Sequence, residues 1–216
     1  DPSLCGLVHR DANQLLYTDA TSVENITRNT GYIKTSGIDM EANYRTSFSD
    51  LGLGDLGGLS FNMAGTYTSK LEVQPVPASI TGGGGVYDCA GLFGTTCGTP
   101  VPKWRHKLRV TWTSPWNVGL SVNWRYMSSV ALDILPADPK DAKIPAYNYF
   151  DLSGTWTVRD GTTLRFGVNN VFDKDPPIVD TNLYGVSAPP FGNGNTFPGV
   201  YDSLGRTFFV GITADF

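Results

Sequence analysis

From Thr207 to Phe216 the side chains sort onto two faces: Phe208, Val210, Ile212, Ala214 and Phe216 on one, Thr207, Gly211, Thr213 and Asp215 with Phe209 on the other. Successive strand residues point to opposite sides of a sheet, so this segment predicts a strand with one apolar surface and one mostly polar surface. Six further segments repeat the pattern. The first, about Thr35 to Phe48, sets Ile38, Met40, Ala42 and Tyr44 against Asp39, Glu41, Asn43 and Arg45. The second sets Leu59, Phe61, Met63 and Tyr67 against Ser60, Asn62, Thr66 and Thr68. The third sets Leu108, Val110 and Trp112 against Lys107, Arg109, Thr111 and Thr113, and the fourth sets Val118, Leu120, Val122, Trp124 and Tyr126 against Gly119, Ser121, Asn123 and Arg125. The fifth sets Phe150, Leu152, Trp156 and Val158 against Asp151, Ser153, Thr155 and Thr157, and the sixth sets Leu164, Phe166 and Val168 against Arg165, Gly167 and Asn169.

The connections alternate in length. Ser49 to Gly58, the tight turn at Ser114 to Asn117 and the Asp160-Gly161 hairpin are short, whereas 72–102, 128–146 and 173–205 are long and rich in Gly, Pro and Thr. Long loops at one end and short turns at the other are the asymmetry of an outer-membrane barrel. The charged face agrees: burying Asp39, Glu41, Arg45, Arg109, Arg125, Asp151 and Arg165 in a dry core would cost several kcal/mol for each unpaired charge, whereas a wide barrel bathes them in water. The expected fold is therefore all-β, a transmembrane antiparallel β-barrel. A soluble sandwich that turns the charged face to solvent is the alternative.

Composition excludes other classes. With 40% apolar, 12% aromatic and 17% charged residues, the chain is not disordered. A net charge of −4 with scattered Lys and Arg gives no nucleic-acid footprint. No apolar run is long enough for a spanning helix. Single-chain barrels have an even number of strands, at least about eight. Seven strands then read as the last part of a larger barrel, with residues 1–30 ending an extracellular loop and 31–216 forming the wall. A start at Asp1 with no signal peptide reads as truncation.

At this level of detail the chain resembles a known family. Thr35, Ser36, Gly37, Ile38 and Asp39 followed by Ala42, Tyr44 and Arg45 resemble a barrel strand of TonB-dependent outer-membrane receptors. Phe150, Asp151 and Leu152 through Phe166, Gly167, Val168, Asn169, Asn170, Val171, Phe172 and Asp173 resemble their penultimate hairpin. Tyr201, Asp202, Leu204, Gly205 and Arg206 into Phe216 resemble their closing strand. The resemblance implies a 22-stranded barrel in the outer membrane of a Gram-negative bacterium and an N-terminal plug. It implies energy-coupled import of scarce nutrients such as siderophore-iron, cobalamin or glycans. Its implied partners are outer-membrane lipid, the TonB complex through a missing N-terminal region, and the barrel assembly machinery; no enzyme activity and no cofactor are implied. A soluble all-β carbohydrate-binding module and a porin-type channel fragment are the rivals.

Residues that carry chemistry are few. Gly52, Gly54 and Gly57 spell a dinucleotide fingerprint, but the segment after them reads as strand, so a turn is expected. His9 and His106 lack partners at metal-ligand spacing, and no metal site is expected. Asp173, Asp175 and Asp180, and Asp133, Asp138 and Asp141, read as solvated loop carboxylates rather than Ca²⁺ ligands. Cys89 and Cys97 share one loop and are expected to form a disulfide in an oxidising compartment, with three free thiols as the alternative; Cys5 stands alone. Trp104, Trp112, Trp116, Trp124, Trp156, Tyr126 and Tyr149, at strand ends, are expected in interfacial belts. Loop aromatics Tyr87, Phe93, Tyr184, Phe191 and Phe197 are the candidate ligand contacts, because loops on a rigid scaffold carry recognition. Phe216, ending the last strand, resembles an assembly signal.

Overall fold

A computed structural model describes residues 5–16, 21–24, 31–75, 85–134, 142–179 and 192–215. Seven long strands build one antiparallel sheet: β1 (Tyr32–Ser47), β2 (Gly58–Gln74), β3 (Trp104–Thr113), β4 (Val118–Met127), β5 (Tyr147–Arg159), β6 (Thr162–Asn169) and β7 (Thr207–Ala214), and the two-residue strand Tyr87–Asp88 joins it beside β2. Each of the seven pairs with its neighbours in sequence, giving an up-and-down meander that is not closed among the described residues. Its edges are β1 and β7. Among the described residues no helix is long and apolar enough to cross a membrane.

Register fixes the faces. Val110 lies opposite Val122, which lies opposite Leu152, which lies opposite Val168, which lies opposite Phe208. One residue over, Arg109 lies opposite Asn123, which lies opposite Asp151. A slip by one residue would exchange the two rows, so the alternation in sequence and the pairing agree. The outer face is a band of exposed aliphatic and aromatic side chains, with Val122, Phe208, Val210 and Ile212 each at least 42% exposed. Burial of this surface must come from outside the chain.

Belts of aromatic residues flank the band. At the short-turn end, the Trp112 indole donates to the Leu56 carbonyl at 2.8 Å and Trp116 meets Trp112 edge-on. At the long-loop end, Trp124 stacks on Phe150 and donates to Asn148 at 2.9 Å, while the Trp104 indole donates to Nδ1 of His106 at 2.9 Å. Gly154 keeps the band smooth, because a Cβ there would strike the Phe166 ring that crosses it.

The residues between β1 and β2 form a turn in which Gly52, Gly54 and Gly57 adopt φ of 74°, 81° and 92°. The dinucleotide spelling thus reflects left-handed turn positions, and a strand follows it. Hydrogen bonding from Ser47 holds the Asp50 carboxylate of this turn below the usual range.

The long loops are more structured than their composition predicts. Leu92–Phe93 pairs in parallel with Ala131–Leu132, and Val130–Ala131 pairs with Lys143–Ile144. Over them Phe93, Val130, Leu132, Ile144, Tyr147, Tyr149, Val179, Phe197 and Tyr201 form the buried core of the described residues. The chain divides into two compact units, residues 1–35 with 71–88, and residues 36–70 with 89–216. Within the first, Val8–His9 pairs with Ser22–Val23, and His9 meets Glu24 at 3.0 Å. Residues 32–35 of β1 and 71–74 of β2 also belong to the first, and the rest of the seven strands and the loop core belong to the second.

Candidate functional site

The inner face is where charge collects, and Arg125 on β4 is its hub. Its guanidinium grips Asp151 of β5 in a two-point clasp, Nε to Oδ2 at 2.9 Å and Nη2 to Oδ1 at 2.8 Å, and reaches Asp202 at 3.1 Å. A planar fork matched to a planar carboxylate is the strong form of this contact. Asn123 donates to Asp151 Oδ2 at 2.9 Å, and the backbone amide of Asn170 donates to Oδ1 at the same distance. Arg125 also lies 4.9 Å from the centre of the Tyr149 ring, whose hydroxyl accepts from the Asp202 amide at 3.2 Å.

This hub ties the loop after β6 to the wall. Asn170 bonds both the amide and the carbonyl of Lys174, and Asp173 accepts the Arg206 amide at 2.8 Å. Tyr201 packs on Tyr147 with ring centres 4.9 Å apart, on the inner side of the sheet. Burial, reinforced by Tyr147 and Tyr149, drives the Tyr201 hydroxyl well above the ordinary tyrosine pKa, and this hydroxyl has no hydrogen-bond partner among the described residues. Below this roof a trough of about 680 Å³ is lined by Asp39, Glu41, Thr66, Arg105, Lys107 and Arg125. Such a surface offers charge and hydrogen-bonding groups.

The expected ligand contacts divide. Phe93 and Phe197 pack edge-on with centres 6.2 Å apart and are 0% and 2% exposed, so their rings are part of the loop core. Tyr87, on the short pair with β2, is exposed. Tyr184, Phe191 and Phe216 lie outside the described residues, as do Asp138, Asp141 and Asp180. The Cys89–Cys97 disulfide is present with Cα atoms 5.4 Å apart, and Cys5 is exposed and free. Asp133 is engaged, accepting the Thr96 and Cys97 amides at 2.8 and 2.7 Å, and among the described residues no group of three potential ligands could hold a metal ion. Tyr149 corrects the belt assignment, since its odd position on β5 turns it inward with Asp151. Sequence reasoning missed the hub as a site. Its signal was that Asp151, Asn170 and Asp202 all fall in two of the three motifs that carry the resemblance.

Comparison with known proteins decides the family. A family model described as TonB dependent receptor-like, beta-barrel matches residues 7–171, most of the chain. The chain belongs to the TonB-dependent receptor family. It is a barrel portion of such a receptor, and members of the family are receptors and transporters of the outer membrane. The chain is 37% identical over 82 residues to the rhizobactin receptor of Rhizobium meliloti (strain 1021), an overlap of 37% of this chain and 10% of that protein. Two variants of the ferric enterobactin receptor (PfeA) of Pseudomonas aeruginosa share its fold at a TM-score of 0.52 and 17% identity, over 84% of this chain and 22% of theirs. The chain thus spans a tenth to about a fifth of the length of these TonB-dependent receptors.

Proposed function

We propose that this chain is the C-terminal part of the wall of an outer-membrane receptor that imports iron bound to an organic chelator, a siderophore. Residues 31–216 supply barrel strands, and residues 1–30 end an external loop. The observation that carries the reading is the division of one meander into an apolar outer face and a charged inner face. Lipid suits the first and a wet lumen the second. The soluble-module alternative gains nothing from a lipid-sized apolar band left open to water. Iron is favoured over cobalamin or glycan because both named relatives are receptors for siderophores. In this reading energy arrives through TonB, acting on a part of the receptor outside this chain.

Deleting the gene for the full receptor and growing cells under iron limitation on single ferric chelates tests this. Loss of growth on one chelate class, restored by the intact gene and not in cells lacking TonB, is the expected result. Unchanged growth on every chelate would overturn it.

A further inference from the structure

The connection between β1 and β2 is the longest of the three short ones, and it is built from leucine and glycine where a solvated turn would carry polar residues. Leu51, Leu53 and Leu56 are 54%, 59% and 42% exposed. Gly52 and Gly54 alternate with the leucines in the left-handed region, and a Cβ at either would meet nothing within 4 Å, so among the described residues nothing stands against the tip there. Its backbone is satisfied from within. The Phe48 carbonyl accepts from the amides of Leu51 and Leu53 at 3.2 and 2.9 Å, the Ser49 carbonyl from Gly52 at 3.0 Å, and the Gly54 carbonyl from Leu56 at 3.1 Å. The Phe48 amide returns to the Gly57 carbonyl at 3.0 Å, and Ser47 and Asp50 cap each other, each backbone amide bonded to the other's side chain at 3.1 Å. A backbone that supplies its own partners leaves water at little cost.

The turn also leans to one side. Trp112, on the outer face of β3, donates its indole N–H to the Leu56 carbonyl at 2.8 Å, and Trp116 on the neighbouring turn, itself exposed, meets Trp112 edge-on with ring centres 6.5 Å apart. At Gly57 the backbone runs so close to the end of β3 that a Cβ would strike the Thr113 carbonyl. These contacts are made to β3, away from the edge of β1 where a larger wall continues. The leucines therefore stand at the level of the tryptophan belt and, through Trp112, continue the apolar band of the outer face. Indole rings settle at the membrane–water boundary, so this level is the edge of the lipid. Residues 48–57 hold no Lys or Arg, and their two carboxylates, Asp50 and Asp55, are exposed. Carboxylates are costly in hydrocarbon, which limits the turn to the headgroup boundary.

We infer that the turn between β1 and β2 is a lipid anchor: Leu51, Leu53 and Leu56 insert among the headgroups and first acyl carbons of the periplasmic phospholipid leaflet, while Asp50 and Asp55 stay in the headgroup layer. This rests on the membrane reading of the wall and goes beyond it, because strand alternation says nothing about a connection. An exposed apolar patch marks a partner. Here the patch is continuous with the lipid-facing band, so one partner, lipid, covers both. Interfacial side chains of this kind set how a spanning protein sits in its bilayer, and the turn accordingly fixes the depth of the barrel at its short-turn end.

The test puts a nitroxide spin label on the full-length receptor in vesicles of phosphatidylethanolamine and phosphatidylglycerol, through Leu53→Cys, Asp160→Cys or Val122→Cys, each combined with Cys5→Ser. Collisions with oxygen, which dissolves in lipid, are compared with collisions with a water-soluble nickel chelate. The label at position 53 should favour oxygen severalfold more than the label at 160, which sits on the exposed polar hairpin at the same end, and should approach the label at 122 on the outer band. In intact cells, a photoreactive amino acid in place of Leu56 should yield phospholipid adducts. Heat-modifiable mobility verifies folding; if Leu53→Cys fails to assemble, Leu51→Cys gives the same measurement. A label at 53 as open to the nickel chelate as the one at 160, or shielded from both reagents, would overturn the inference. So would adducts to a periplasmic protein or to another part of the receptor in place of lipid. Failure of the membrane reading looks different: position 122 is then wetted as well, and the anchor falls with it.

Discussion

Ser121 and Val122 are neighbours on β4 that the sheet sends to opposite sides. Ser121 shares a hydrogen bond with Thr111 at 2.8 Å among small inner residues, while Val122 lies between Val110 and Leu152 on the outer band. Val122→Lys should cost about 2 to 4 kcal/mol if the residue sits near the bilayer midplane, and Ser121→Lys about 1 kcal/mol or less for the lost hydrogen bond. Refolding titrations of the full receptor in lipid measure both, and equal costs would refute the assignment of faces. The adjacent inner residue Asn123 is not a neutral site, because its amide is committed to Asp151 and Arg109 lies opposite. At Cys89 and Cys97 the closed loop is short, so reduction should remove about 2 to 3 kcal/mol from the loop core in the chain-entropy view. A non-reduced digest should yield the two cysteines in one linked peptide pair with Cys5 free, and hydrogen exchange around Phe93 should quicken on reduction.

Among elements, the loop core changes what the long connections are. Residues 89–103, 128–134, 142–146 and 192–206 share Phe93, Val130, Ile144, Phe197 and Tyr201, so they are one packed body rather than separate tethers. Their attachment to the sheet runs through Arg125 and Tyr149, which explains why β5 begins at Tyr147, three residues before the alternation becomes legible at Phe150. Asp202→Asn keeps the shape but gives up the charge that meets Arg125, and hydrogen bonds to charged groups contribute about 1.5 to 3 kcal/mol each. The variant should speed hydrogen exchange at 195–202 while leaving the β5 to β6 ladder protected. Equal loss at both places would show that the hub supports the whole wall instead of the loop.

At the scale of the molecule, the strands that end the sheet, sixteen residues long at β1 and eight at β7, have no further strand beside them among the described residues. Exposed edges of this length pair with further strands, and closure into a barrel is the one arrangement that removes them. Phe216, just beyond β7, is one apolar side chain, worth about 1.5 to 3 kcal/mol if buried in lipid, which a large barrel tolerates. Assembly is a separate demand. Deleting Phe216 from the full receptor should sharply lower its outer-membrane level while barely changing the stability of what does insert. Immunoblots of membrane fractions and heat-modifiable mobility measure the two quantities, and unchanged levels would refute the signal role.

Alternation, turn residues and loop lengths determined the seven strands, their order and their faces, because strand parity and tight turns are local properties that a chain cannot hide. Cys89 and Cys97 were legible for the same reason, being eight residues apart in one loop. Three things depended on contacts between segments distant in sequence. Phe93 and Phe197, over a hundred residues apart, were equally compatible with ligand contact until packing enclosed them together. Tyr149 reads as a belt residue by composition and becomes a roof support because Asp202 and Tyr201 return to it. The inner charges likewise looked alike in sequence; only the paired sheet brings Arg125, opposite Tyr149, within diagonal reach of Asp151, since whether a charge is satisfied depends on which strand lies beside it and in what register.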